Sequence, residues 1–251
     1  MITEVYIFIV LIISSFLQTV TGFGYAIVTA PLLALVLGAK ETVMLVMLTG
    51  LLIRFLLIGA TRNEGSFKAI FPLISASIIG AIPGAYIMTI ISGEMLKVFI
   101  GIVLLAAAIA LWKKHTVVVK HHKATEAAVG AISGFLATTT SINGPPVVLY
   151  YMNSGADENK AEFRGNLTRY FFLINIASIL MSIVAGTLKF QEIWFYTLIS
   201  VPAAYIGFFM GQKLFYRINA ETFRKASLIM IFASSIIIMG AELLKFLSQL
   251  C

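Results

Sequence analysis

The stretch "TTTSINGPPVVLYYMNSG", residues 138–155, interrupts a chain that is otherwise almost continuously apolar. It combines small hydroxyl residues, an asparagine, a glycine and two adjacent prolines, all of which disfavour an uninterrupted helix. The surrounding chain is 60% hydrophobic and 12% charged, with a mean hydropathy of +0.99. Soluble domains are about half apolar and one quarter charged. The composition therefore predicts an all-α polytopic membrane protein whose helices are broken at defined places.

Apolar runs long enough to cross a hydrocarbon core of about 30 Å recur along the chain. Six are predicted as full spans: residues 42–60, 69–92, 95–112, 164–188, 192–212 and 222–244. Two longer segments, 5–37 and 125–155, exceed one crossing, because straight helices of these lengths would measure about 50 Å and about 47 Å. We predict that they break at "TGFG" (21–24) and "SINGPP" (141–146), which gives about eight transmembrane segments in a conventional count.

The two halves of the chain repeat each other. An offset of 115 residues pairs Pro31 with Pro146, Gly50 with Gly165, and Arg54 with Arg169. An offset near 119 aligns "IPGAYI" (82–87) with "VPAAYI" (201–206). We predict a first membrane repeat at 1–112, a polar cytoplasmic linker at 113–124 and a second membrane repeat at 125–251, each repeat holding one broken helix or hairpin and three transmembrane helices.

The basic residues indicate how the broken segments run. If each segment returns to its starting face, twelve basic loop residues share one face and four the other, whereas single crossings would divide them eight against eight. The positive-inside rule favours the first arrangement, with the basic loops and linker cytoplasmic and both termini on the opposite face. A hairpin plus three spans inverts the second repeat relative to the first, as in many secondary transporters.

A helix that begins inside the membrane exposes unpaired backbone N–H groups and a positive dipole end, which favour an anion. The second break offers Thr139, Thr140, Ser141, Asn143, Gly144 and Pro145 as substrate-binding candidates, and the first offers Gln18, Thr21, Gly22, Phe23 and Gly24. The intramembrane Arg54 and Arg169 are further candidates, since a charge at this depth usually faces a cavity or a partner. Two alternatives stay open: the breaks are packing features, or Arg169 snorkels to the basic face.

Other classes of site are disfavoured. The three histidines lie in the linker, so we expect no metal site and no cofactor. Motifs of intramembrane hydrolases and of ATP-driven pumps are absent from the sequence, and we expect no enzyme activity. The net charge of +7 maps to loops that flank the membrane, so nucleic acid is not an expected partner.

The segments "GFG" (22–24), "APLLAL" (30–35), "AIPGAYI" (81–87), "NGPPVVLY" (143–150) and "AEFRGNL" (161–167) together resemble the TauE/SafE family of sulfite exporters. The resemblance assigns the first glycine-rich signature to Gly22, Phe23 and Gly24, and an E-F-R step to Phe163 and Arg164. The chain departs from the family pattern at "YA" after "GFG" and at Asn143, where a glycine is usual.

The resemblance implies a permease of the prokaryotic plasma (inner) membrane. We expect a secondary transporter that exports sulfite, sulfonates or related sulfur oxyanions by alternating access, with membrane lipid around it. A passive anion channel and a non-transporting binding or assembly protein are the alternatives. The coupling ion, proton or sodium, and a homodimeric assembly stay open.

Overall fold

A computed structural model describes residues 2–112, 123–153 and 159–217, together with residue 229. This part of the chain is helical and without strands. Its nine helices are α1 (Ile2–Thr21), α2 (Tyr25–Leu33), α3 (Ala39–Ala60), α4 (Phe67–Ile90), α5 (Gly93–Trp112), α6 (Lys123–Thr139), α7 (Gly144–Asn153), α8 (Lys160–Val184) and α9 (Phe190–Phe215). The predicted linker residues 113–122 and the predicted last span, 222–244, lie outside it.

Five of the described helices, α1, α3, α4, α8 and α9, are long and apolar enough to cross a membrane. Their positions follow the predicted runs, with α3 at 39–60 against the predicted 42–60 and α4 at 67–90 against 69–92. The protein is therefore an all-α polytopic membrane protein, as the sequence predicts.

The first long segment is a hairpin with unequal arms. Helix α1 ends at Thr21 and α2 begins at Tyr25. The hydroxyl of Tyr6 donates to the carbonyl of Leu32 at 3.0 Å, which joins the start of α1 to the end of α2. Helix α2 has nine residues, about 14 Å. The chain thus enters along a full-length arm and returns along a half-length one.

The second long segment repeats this form. Helix α6 ends at Thr139 and α7 begins at Gly144, and the hydroxyl of Tyr150 donates to Oε1 of Glu126 at 2.8 Å. Helix α7 has ten residues, about 15 Å. Both predicted breaks are confirmed, and in each the second arm is the short one.

The same local geometry makes both breaks. The hydroxyl of Thr21 donates to the carbonyl of Leu17 at 2.7 Å and accepts from the amide of Phe23 at 3.2 Å. The hydroxyl of Thr140 donates to Leu136 at 3.0 Å and accepts from the amide of Ile142 at 3.1 Å. Each threonine precedes a residue of positive φ, namely Gly22 (77°) and Ser141 (60°).

The matching threonines are 119 residues apart, so the repeat register at the breaks is 119. The predicted offset of 115 is wrong there, because it pairs Pro31, the seventh residue of α2, with Pro146, the third residue of α7. A register of 119 is also the one that aligns "IPGAYI" with "VPAAYI".

The long arms pack closely on helices of the other half. Added methyl groups at Gly130 and Gly134 of α6 would meet the backbone carbonyls of Leu73 and Ser77 on α4. At the other long arm, methyl groups at Gly207 and Gly211 of α9 would overlap the backbone and side chains of α1. Such small residues let membrane helices approach to backbone contact.

The tips of the two hairpins also rest on the other half. A methyl group at Gly22 would lie 3.0 Å from Cγ and 3.2 Å from Cα of Arg164 on α8. The hydroxyl of Ser141 donates to the carbonyl of Val43 on α3 at 3.2 Å. The halves therefore interlock at both tips. Their inverted orientation in a membrane, and the repeat boundaries, stay predictions.

Candidate functional site

The two hairpin tips meet at a small pocket. Its lining comes from both tips, from α3 and from α8: Phe23, Gly24, Ala26, Ile27, Arg54, Ile142, Asn143, Gly144 and Phe171. Five of the predicted substrate-binding residues are among them: Phe23, Gly24, Arg54, Asn143 and Gly144. The structure thus brings together residues that are far apart in the sequence.

Arg54 is the cation of this pocket. It lies in the second half of α3 and is 6% exposed. Its Nε is buried without a hydrogen-bond partner, and no described carboxylate pairs with it. The guanidinium carbon lies 5.6 Å from the ring centroid of Phe171. A buried cation without a counter-charge is strongly unfavourable, so an anion in the pocket would stabilise the protein.

Gly50 provides the space for this guanidinium. A methyl group at Gly50 would lie 2.6 Å from Nη1 of Arg54, well inside van der Waals contact. The arginine side chain therefore folds back along its own helix over the glycine. The sequence singled out Gly50 as a repeat match but gave no sign of this role.

Gln18 stabilises the first tip through hydrogen bonds to its backbone and does not line the pocket. Its Nε2 donates to the carbonyl of Gly22 at 2.9 Å, and its Oε1 accepts from the amide of Tyr25 at 3.1 Å. The amide of Tyr25 is therefore not a free donor at the start of α2. Gly24 precedes the helix with a φ of 100°, a conformation that glycine adopts readily.

The start of α7 also has few donors. Pro145 and Pro146 carry no N–H, so Gly144 and Val147 hold the amide hydrogens of its first four residues. Pro145 does not line the pocket. A methyl group at Gly144 would lie 3.7 Å from Cζ of Phe171 and 3.9 Å from Cβ of Phe23. The space above Gly144 is therefore bounded by two aromatic side chains.

The predicted hydroxyl donors shape the breaks and are absent from the pocket lining. Besides Thr21, Thr140 and Ser141, whose bonds are given above, Thr139 donates to the carbonyl of Phe135 at 2.8 Å. Each hydroxyl hydrogen is used within the protein. The structure does not bring these four side chains, or Gly22, to the pocket.

Arg169 is not among the residues that line the pocket. It clamps the loop between α3 and α4: it donates to the carbonyls of Thr61 at 3.1 Å and Arg62 at 2.9 Å, and also to that of Glu64. The side chain is 5% exposed. Its guanidinium reaches the α3–α4 loop, which the sequence analysis counts among the loops of the basic face, so the alternative that Arg169 extends to that face stays open.

Arg164 is one of the twelve basic residues that the sequence analysis places in loops on one face, and the structure corrects this. It is fully buried, with Nη2 2.9 Å from Oε1 of Glu64 and Nε 3.2 Å from Oε2. Its Nη1 donates to Oε1 of Gln212 at 2.9 Å, and its guanidinium lies 3.5 Å from the ring centroid of Phe215. Arg164 therefore joins α8, α9 and the α3–α4 loop directly behind the first tip.

Two broken helices whose tips meet at an unpaired buried arginine define a membrane protein of the transporter type. The sequence model of the sulfite exporter TauE/SafE family matches residues 6–238. The chain belongs to this family, and membership implies a membrane transporter of sulfur anions in general. Comparisons with curated proteins and with solved structures give no significant match.

Proposed function

We propose that this protein is a secondary transporter that exports a small anion, such as sulfite, a sulfonate or a related sulfur oxyanion, by alternating access. The observation that carries the proposal is Arg54, which lies buried and unpaired where the two tips meet. The arginine has no described counter-charge, so the substrate would supply it.

The expected interaction free energies between an anion and this site agree with reversible binding. A hydrogen bond to a charged group contributes about 1.5–3 kcal/mol, and a helix amino end adds about 0.3–1 kcal/mol for an anion. Arg54 and two helix ends together therefore favour an anion by several kcal/mol before the loss of freedom on binding is counted. Such a sum suits a substrate that must also be released.

Counterflow in proteoliposomes tests the proposal. Labelled external sulfite should accumulate transiently in vesicles that are preloaded with unlabelled sulfite, and Arg54→Gln should abolish this accumulation. Arg62→Gln is the matched control, because Arg62 is exposed on a loop and its side chain does not line the pocket. Flux without counterflow would indicate a passive channel instead. The absence of flux with every anion tried would favour a non-transporting protein.

We further propose a location in the prokaryotic inner membrane, with the basic loops and the linker at 113–124 cytoplasmic and both termini opposite. Single cysteines at Lys120 and Lys245, introduced after Cys251→Ser, test this topology with a membrane-impermeant thiol reagent. Inverted repeats require opposite accessibility at the two positions, and equal accessibility contradicts them. Proton and sodium gradients imposed separately would identify the coupling ion, and light scattering of the purified protein would test a homodimer.

A further inference from the structure

The loop between α3 and α4 is held by the first half of α8. Both carboxylate oxygens of Glu64 pair with Arg164, with Nη2 2.9 Å from Oε1 and Nε 3.2 Å from Oε2. The amide of Ser66 donates to Oδ1 of Asn166 at 2.7 Å, and Arg169 donates to three carbonyls of the loop. One short stretch of α8 therefore binds the α3–α4 loop along its whole length.

A matching loop, 185–189, connects α8 to α9. Each loop contains a glycine of positive φ, Gly65 at 73° and Gly186 at 68°. The amide of Lys189 donates to Sδ of Met44, near the start of α3, at 3.1 Å. Among the described residues this is the one hydrogen bond from the α8–α9 loop to α3, and a thioether sulfur is a weak acceptor. The two loops thus lie at opposite ends of the α3–α8 pair and are held unequally.

The surroundings of the two glycines show the same contrast. A methyl group at Gly65 would lie 2.7 Å from the backbone nitrogen of Asn166 and 2.9 Å from the carbonyl carbon of Gly165. A methyl group at Gly186 would meet nothing within 4 Å. The α3–α4 loop therefore packs directly on the α8 backbone, whereas the α8–α9 loop has open space beside its glycine.

The pocket lies between the two loops. Arg54 of α3 and Phe171 of α8 both line it. Along α3 the order is Met44, Arg54 and then the α3–α4 loop. Along α8 the order is Arg164, Phe171 and then the α8–α9 loop. A substrate that leaves the pocket toward either end of this helix pair would therefore pass one loop or the other.

Arg164 also connects the α3–α4 loop to the first hairpin tip. Its Nη1 donates to the carbonyl of Thr19 at 3.4 Å, and a methyl group at Gly22 would lie 3.0 Å from its Cγ. The same tip contributes Phe23 and Gly24 to the pocket lining. One fully buried side chain thus contacts both the loop and a tip of the pocket.

We propose that the α3–α4 loop is a gate of the transport pathway and that the ion pair of Glu64 and Arg164 is its lock. The gate is closed in this structure, and Arg164 supports the first tip while the lock is formed. Opening separates the ion pair, so the loop and the tip lose their common support together. The inference rests on the proposed function and goes beyond it, because it assigns positioning residues outside the pocket.

The reactivity of single buried cysteines tests the lock. Thr61→Cys and Thr42→Cys are introduced separately after Cys251→Ser, since both threonines are fully buried and lie at the two ends of α3. N-ethylmaleimide should react slowly at both positions of the purified protein. Adding Glu64→Gln should speed the reaction at position 61 about tenfold or more and leave position 42 within about twofold.

Two further variants complete the labelling experiment. Glu192→Gln breaks an exposed ion pair beside the α8–α9 loop and should leave both rates unchanged. Asn166→Ala removes a neutral hydrogen bond to the α3–α4 loop and should speed position 61 about fivefold, which keeps the test available if Glu64→Gln does not fold. Equal acceleration at both positions would indicate general loosening, and an unchanged rate at position 61 would show that the pair does not hold the loop; either result overturns the inference.

Counterflow of labelled sulfite separates the gate from the proposed function. Counterflow requires the gate to close again after each opening, so Glu64→Gln should lower its maximal rate about tenfold or more. A full rate in Glu64→Gln, together with faster labelling at position 61, would overturn the gate and leave the transporter standing. The absence of counterflow in the wild type would overturn both.

Discussion

Gly50→Ala should impair anion binding without weakening the fold. The added methyl group would lie 2.6 Å from Nη1 of Arg54, about 0.8 Å closer than the 3.4 Å at which ordinary contact begins. Its next neighbours, Cδ1 of Tyr25 at 3.4 Å and Cζ of Arg54 at 3.6 Å, are already at ordinary distances. The end of the arginine side chain is therefore the part that must move.

The expected loss of affinity follows from this displacement. Hydrogen bonds to charged groups contribute about 1.5–3 kcal/mol, so a displaced guanidinium should weaken binding about 10- to 100-fold. Alanine in place of glycine inside a helix adds about 0.5–1 kcal/mol of stability. The unfolding temperature of the ligand-free protein should thus stay constant or rise by a few degrees.

Gly59→Ala on the same helix is the matched control, since nothing lies within 4 Å of a methyl group there. Dissociation constants for sulfite and propanesulfonate, from thermal shifts of the wild type and both variants, provide the comparison. Wild-type affinity in Gly50→Ala would show that Arg54 does not need the space over Gly50. A lower unfolding temperature in Gly50→Ala alone would show that the helix neighbours yield instead of the guanidinium.

Two further predictions concern stability. Glu64→Gln should lower the free energy of unfolding by about 3–5 kcal/mol, because it leaves a fully buried arginine charge uncompensated. Its control is Glu192→Gln, which breaks an exposed ion pair and should change the free energy of unfolding by at most about 1 kcal/mol. Equal effects in denaturant titrations would contradict this. Gly134→Ala should destabilise the protein strongly, since its methyl group would overlap the backbone of Ser77. Its control is Gly93→Ala, whose methyl group meets nothing within 4 Å. Similar unfolding temperatures of the two variants would refute the close packing of α4 and α6.

The sequence predicted the breaks well, because glycine, proline and asparagine stand out against an apolar chain. It also singled out Arg54, which the structure places in the pocket lining, since a lone charge deep in an apolar run has few explanations. The lengths of the short arms could not be predicted. In "YAIVTAPLL" (25–33) the residues are as apolar as their surroundings, and Pro31 lies inside the helix instead of ending it.

Other parts of the site left no signal in the sequence. Phe171 is one of 19 phenylalanines, and only the packing of α8 against α3 brings it to Arg54. Arg169 looks equivalent to Arg54 at an offset of 115, yet its partners are loop carbonyls. Every residue carries a backbone carbonyl, so the sequence does not indicate which carbonyls an arginine will bind. The contact of Arg169 with the loop could therefore not be predicted. The hydroxyl residues lie at the breaks, as predicted, but their hydroxyl groups donate to backbone carbonyls and do not line the pocket.

The glycine contacts determine which parts of the protein can move during transport. Helix α6 is locked to α4 through Gly130 and Gly134, and α1 is locked to α9 through Gly207 and Gly211. Because such closely packed backbones have little room to shift against each other, we expect each helix pair to move together. Each moving body therefore contains a hairpin arm from one sequence repeat and a long helix from the other. The proposed alternating access would then occur between these mixed bodies, and the boundary between the predicted repeats would not be the boundary of the motion.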